Sequence, residues 1–185
     1  MASLTTAKLK NIFSFVVSVV FVVQSTSCST MIPGTDTTSP SIDFQIRGPG
    51  IGSITMKNPP QERWTADDGS QYLNLQPGAT YNFVLLVGDR GGVARAQLQR
   101  PDTFTILRVD PPGVRNEVFG VSRVLILLGN RENAKTALVM SGQFQIPAGD
   151  RSSFDFQVGA SDFGGRSGTA PNQRFMSVSA AVGAL

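Results

Sequence analysis

The chain has 185 residues, 16 Lys+Arg against 13 Asp+Glu, no histidine and one cysteine. Without histidine there is no imidazole base, no Ser-His or Cys-His dyad and no imidazole zinc ligand, and a lone cysteine excludes an intramolecular disulfide. With 41% hydrophobic residues and 16% charged, the composition supports one real core plus an N-terminal appendage.

Lys8 and Lys10 precede an apolar run, Ile12–Val23, broken only by Ser14 and Ser18, and Ser25, Thr26 and Ser27 follow. This is the three-part pattern of an export signal. As an uncleaved anchor the run falls short, because its 12 residues of helix reach only ~18 Å against a ~30 Å hydrocarbon core. With Cys28 directly after Ser27, residues 1–28 resemble a bacterial lipoprotein signal peptide. That resemblance implies a lipidated Cys28 at the mature N-terminus. Ser25 departs from the aliphatic residue usual there, so an ordinary signal peptidase cutting the Ser27–Cys28 bond is the alternative. Loss of residues 1–27 removes two lysines and no acid, so +3 becomes +1 (14 basic, 13 acidic), which argues for no nucleic-acid partner.

Residues 28–41 are rich in Ser, Thr and Pro and are expected to form a flexible tether, with one domain over 42–185. Ile42–Ile46 alternates as a first strand, and Ser53–Lys57 follows a Gly-Pro break with no helix pattern after it, so Gly48–Gly52 is not a phosphate loop. Trp64 lies in a polar stretch ending at Asp67-Asp68-Gly69, either as a core plug or as a ligand contact. After a short strand at Ser70–Leu75, Pro77-Gly78 releases a strand with Tyr81, Phe83, Leu85 and Val87 on one face. Asp89-Arg90-Gly91-Gly92 turns it into a second strand carrying Ala94, Ala96 and Leu98, as two strands joined by a tight loop.

Thr103–Val109 is a further strand, with Leu107 and Val109 on one face and Phe104 and Ile106 on the other, stopped by Asp110-Pro111-Pro112-Gly113. Val121–Leu128, the most apolar mature segment, is expected as a central strand buried on both faces. Lys135–Ile146 is expected to return as its hairpin partner, with Leu138, Met140, Phe144 and Ile146 inward. Phe154, Phe156, Val158 and Ala160 alternate with Ser153, Asp155 and Gln157, and Met176, Val178, Ala180 and Val182 form the last strand.

Two segments share a layout: Pro77-Gly78, Tyr81-x-Phe83, Val87, Asp89-x-Gly91-Gly92, and Pro147-x-Gly149, Phe154-x-Phe156, Val158, Asp162-x-Gly164-Gly165. One sandwich holding both units fits the length better than a tandem of two domains. Through Leu75-x-Pro77-Gly78-x-x-Tyr81-x-Phe83 and Phe154-x-Phe156-x-Val158-x-Ala160-x-Asp162-x-Gly164-Gly165 the chain resembles bacterial immunoglobulin-like and fibronectin type III-like domains. The resemblance implies an antiparallel β-sandwich of roughly eight to ten strands after a signal-peptide helix, with Tyr81 as a tyrosine-corner residue.

Asp67, Asp68, Asp89, Asp110, Asp150 and Asp162 all stand in turns, and of these Asp89 and Asp162 are the candidates for a calcium site. Asp is also the default turn residue and no Asp-x-Asp-x-Asp run occurs, so no metal and no cofactor is expected. There is no Ser-x-x-Lys motif, and Glu62, Glu117 and Glu132 do not pair as glycosidase acids. The expectation is a non-catalytic binding or structural module, membrane-anchored at the cell envelope through Cys28, with a protein or glycan partner. The alternatives are a soluble secreted or periplasmic hydrolase, and a carbohydrate-binding or adhesion domain stacking sugars on Trp64, Tyr72 and Phe163.

Overall fold

The computed structural model describes residues 30–58, 73–166 and 170–183. The leader with Cys28, the Trp64 stretch with Asp67 and Asp68, and Tyr72 lie outside them. Eleven strands follow in order: β1 Ser41–Gly48, β2 Gly52–Asn58, β3 Leu73–Leu75, β4 Thr80–Gly88, β5 Val93–Pro101, β6 Thr105–Asp110, β7 Arg115–Phe119, β8 Ser122–Leu128, β9 Ala137–Gln145, β10 Ser153–Asp162 and β11 Gln173–Val182. They form two sheets, β2-β1-β4-β9-β6 and β3-β11-β10-β5-β8-β7. The protein is an all-β sandwich. Among the described residues every pairing is antiparallel except that of β3 with β11. No helix of the described residues is long and apolar enough to cross a membrane.

Alternation places the core. Ile42, Phe44 and Ile46 of β1, Tyr81, Phe83, Leu85 and Val87 of β4, and Leu138, Met140 and Phe144 of β9 are buried on one sheet. Phe156, Val158 and Ala160 of β10, Ala96 and Leu98 of β5, Leu125 of β8 and Val178, Ala180 and Val182 of β11 meet them from the other. Phe144 is the aromatic hub, with ring centroids 5.4 Å from Phe104, 5.7 Å from Tyr81 and 5.7 Å from Phe156. The Tyr81 hydroxyl accepts from the Gln76 N–H at 2.7 Å and donates to Pro49 O at 3.0 Å, so one buried phenol ties the β3–β4 turn to the β1–β2 loop. Burial raises its pKa.

Three expectations need correcting. First, β4 and β5 are not a hairpin: β4 pairs β1 and β9, whereas β5 pairs β10 and β8 in the other sheet. Likewise β8 and β9 sit in different sheets, so the turns at 89–92 and 129–136 carry the chain across the sandwich. Second, β8 lies next to an edge. Its middle residues Val124, Leu125 and Ile126 are buried, but Leu128 is 47% exposed, and Val121, just before it, is 90% exposed. Third, a bulge between Ile106 and Arg108 of β6 breaks the two-residue period and leaves Leu107 51% exposed.

Candidate functional site

β4, β10 and the stretch leading into β1 end at the same end of the sandwich, and each brings an aspartate. Asp89 follows β4, Asp162 closes β10, and Asp36 precedes β1. One carboxylate oxygen from each lies within 4.8 Å of the others. Each side chain closes its own small loop by accepting the N–H two residues on: Thr38 for Asp36 at 3.0 Å, Gly91 for Asp89 at 2.7 Å, and Gly164 for Asp162 at 2.8 Å. This is why turn-forming aspartates occupy these positions. The Asp-x-Gly-Gly repeat thus places equivalent carboxylates side by side.

The glycines make room. A Cβ on Gly91 would fall 1.9 Å from Oδ2 of Asp36, so only glycine lets that carboxylate approach the Asp89 loop. Asp162 is fully buried and fully bonded: Oδ1 also accepts the Asn172 N–H at 2.8 Å, and Oδ2 accepts Nδ2 of Asn172 at 2.7 Å. The same Nδ2 donates to Asp36 O at 3.0 Å. The Thr30 N–H donates to Ala134 O at 2.7 Å and the Arg166 N–H to Pro33 O at 2.8 Å, with Ile32 buried. The part of the expected tether that is described, residues 30–40, therefore lies against the end of the sandwich. Its Ser, Thr and Pro content hid two buried residues, Ile32 and Pro40, and one carboxylate.

Three like charges at this spacing repel, and two of them are buried. Burial, countered in part by the Gly91 N–H, and then the charges of Asp36 and Asp162 raise the pKa of Asp89 to about 6. An open depression of about 620 Å³ adjoins the cluster, lined by Met31, Pro33, Asp36, Asp89, Arg90 and Arg174 among others. Carboxylate oxygens are the donors a hard cation such as calcium takes, and among the described residues these three are the ones grouped closely enough to hold one.

The other aspartates go elsewhere. Asp110 pairs with Arg108 at 2.7 Å, and Asp150 accepts the Ser152 N–H at 2.9 Å. Glu117 stands on β7, and Glu132 lies in the β8–β9 connection. Phe163 is half-buried against the space at Gly92 and Gly129, with the Arg131 guanidinium 5.8 Å from its ring centroid.

The surface feature missing from the sequence reading is β7. All five of its residues are exposed. Val118 and Phe119 are 65% and 68% exposed, and Val121 in the following turn is 90% exposed. Arg-Asn-Glu-Val-Phe has no two-residue hydrophobic period, so the pattern used elsewhere gave no signal there.

No family model matches the chain, and no curated protein does. Among solved structures it is similar to a non-cellulosomal cohesin from the hyperthermophilic archaeon Archaeoglobus fulgidus, with 11% identity and a TM-score of 0.34, covering 61% of this chain and 88% of that one.

Proposed function

We propose that the chain is a non-catalytic binding module, held at a bacterial cell envelope by a lipidated Cys28. The observation that supports binding is the open side at β7, where Val118, Phe119 and Val121 leave apolar surface on a sandwich whose interior is otherwise closed. Val118 and Phe119 lie on opposite faces of one free strand edge, and an unpaired edge with apolar side chains is a ready site for association. The carboxylate cluster supports a structural role, because its hydrogen bonds close loops and reach residues 30–40. Envelope anchoring is supported by the leader pattern ending at Cys28.

Hydroxyl-radical footprinting of the chain in intact envelopes, compared with the dilute purified protein, tests the binding reading. Phe119 and Val121 should be protected in the envelope, with Leu107 as a partly exposed reference. Equal labelling in both settings overturns it.

A second reading, a glycan-contacting face, is favoured by Phe175. This ring is 58% exposed and lies over Gly159, where a Cβ would come within 2.9 Å of it and 2.7 Å of the Gln97 amide. An aromatic face beside amides suits stacking on a sugar ring. Loss of polysaccharide retention on Phe175→Ala, with the fold intact, is the expected result. Unchanged retention removes the reading.

A further inference from the structure

Among the described residues, no strand pairs the outer edge of β7. The direction of its backbone groups follows from its neighbours. The Gly129 N–H donates to Ala94 O at 2.8 Å, continuing the register in which Leu128 lies opposite Arg95. The odd-numbered residues of β8 therefore bond β5, and the even-numbered ones bond β7. Pro101 agrees, since it has no N–H to give and stands opposite the even-numbered Ser122. Across the next pairing, Ser122, Val124 and Ile126 lie opposite Phe119, Glu117 and Arg115. Those three residues of β7 turn their N–H and C=O to β8, and Asn116 and Val118 turn theirs outward.

The side chains sort the other way. Asn116 lies opposite Leu125, which is fully buried, so Asn116 and Val118 are on the core-side face, and Arg115 and Glu117 are on the outer face. Within the strand Arg115 Nη1 stands 3.9 Å from Glu117 Oε1, both well exposed.

An incoming antiparallel strand must set outward-directed residues against outward-directed ones. A two-fold axis centred on Arg115 or on Glu117 obeys this rule but places like charges opposite each other. One centred on Val118 leaves both charges without a counter-charge. Centring on Asn116 places Arg115 opposite Glu117 of the second copy, and Glu117 opposite its Arg115. These become non-hydrogen-bonded pairs, where side chains stand closest. The same register sets Val114 against Val118 of the second copy and brings Phe119 beside its Pro112-Gly113 turn.

We propose, deepening the binding reading above and resting on it, that β7 pairs with β7 of a second copy of this chain, antiparallel and centred on Asn116. The partner strand continues the sheet across the axis, and the interface is isologous. The edge is suited to this. β7 carries no lysine, proline or bulge, whereas the neighbouring edge strand β6 is interrupted by its bulge. The two ion pairs select one register out of those the backbone permits.

The test is sedimentation velocity of the full chain, as matured in its host, in density-matched detergent. The wild type should show a reversible monomer–dimer equilibrium. Arg115→Glu alone and Glu117→Arg alone each set like charges opposite one another twice, and should weaken the dimer about tenfold or more. The double variant Arg115→Glu/Glu117→Arg exchanges the roles and should restore wild-type association. Far-UV circular dichroism confirms that each variant is folded. A wild type that stays monomeric to its solubility limit overturns the proposal, as do single variants that dimerise like the wild type or a double variant that does not recover. A monomer in solution with Phe119 and Val121 still protected in envelopes refutes self-pairing and leaves the binding reading standing. A monomer with neither residue protected refutes both.

Discussion

Asp89→Asn should make the protein more stable at neutral pH, but not in acid. In the fold this carboxyl titrates at about 6 against an ordinary 3.8. The rise from 3.8 to about 6, at 1.36 kcal/mol per tenfold change in proton affinity, amounts to ~3 kcal/mol, and water entering the open depression screens this toward ~2 kcal/mol. The folded value lies above the unfolded one. Stability from the protonated group is thus fully present below about 3.8 and is lost as pH rises through about 6.

The groups facing Asp89 are the carboxylates of Asp36 and Asp162, with Arg90 and Arg174 lining the depression beside it. Asparagine keeps an oxygen for the Gly91 N–H, bonded at 2.7 Å in the wild type, and carries no charge. Urea unfolding with chelator present, followed by circular dichroism from pH 4 to pH 7.5, reads the difference. Variant and wild type should be close at pH 4. The gap should open between pH 4 and pH 6, and the variant should be ~2 kcal/mol more stable at pH 7.5. A variant that is less stable at pH 7.5, or differs by a constant amount at every pH, refutes the argument that this charge is a strained one.

Phe144→Ala and Phe156→Ala should each cost ~3–5 kcal/mol in the same assay, because both rings are fully buried, whereas Gln157→Ala on the solvent face should cost under ~0.5 kcal/mol. Similar small losses at all three would put the strand faces the wrong way round. Gly91→Ala should push Asp36 off the Asp89 loop and speed proteolysis within residues 30–40, and an unchanged cleavage rate would contradict the close approach. Thermal melts with and without chelator should coincide, and a fall in Tm on chelation would place a bound ion among Asp36, Asp89 and Asp162. Cys28→Ser should move the protein from the membrane to the soluble fraction still folded, with acyl mass on the wild-type N-terminus only, since stable anchoring takes more than one acyl chain. An unmodified thiol at residue 28 of a soluble product would refute the anchor.

Strand faces were legible wherever one side is buried and the other wet. Tyr81 to Val87 and Phe156 to Ala160 alternate in sequence as they do in the fold. Sheet membership was not. Asp89-Arg90-Gly91-Gly92 and Gly129-Asn130 announce a reversal of the chain, but a loop that re-enters the same sheet and one that crosses to the other use the same Asp, Asn and Gly. The eleventh strand, β7, lay beyond the expected eight to ten because an exposed edge has no apolar period to show. Two members of the carboxylate cluster, Asp89 and Asp162, were visible as matching Asp-x-Gly-Gly turns. The third was hidden, because nothing in Gly-Thr-Asp-Thr-Thr signals that Asp36 docks 53 residues before its neighbour Asp89.

The parallel pairing of β3 with β11 has a bearing on timing. Leu73, Asn74 and Leu75 lie opposite Ala180, Ala181 and Val182, and β10 reaches β3 only through β11. For a chain emerging N-terminus first, from a ribosome or through a membrane, the six-stranded sheet stays open on that side until the last strand has appeared. Pairings between residues so far apart in sequence form slowly, because loop closure precedes any contact. Leu73 and Leu75, both buried in the finished sandwich, therefore lack their strand partner for most of the time the chain takes to emerge. Cutting the chain within β11 would remove more than a terminal strand: it would take the partner from β3 and open the flank of β10, so a prematurely stopped product should fail to close at all.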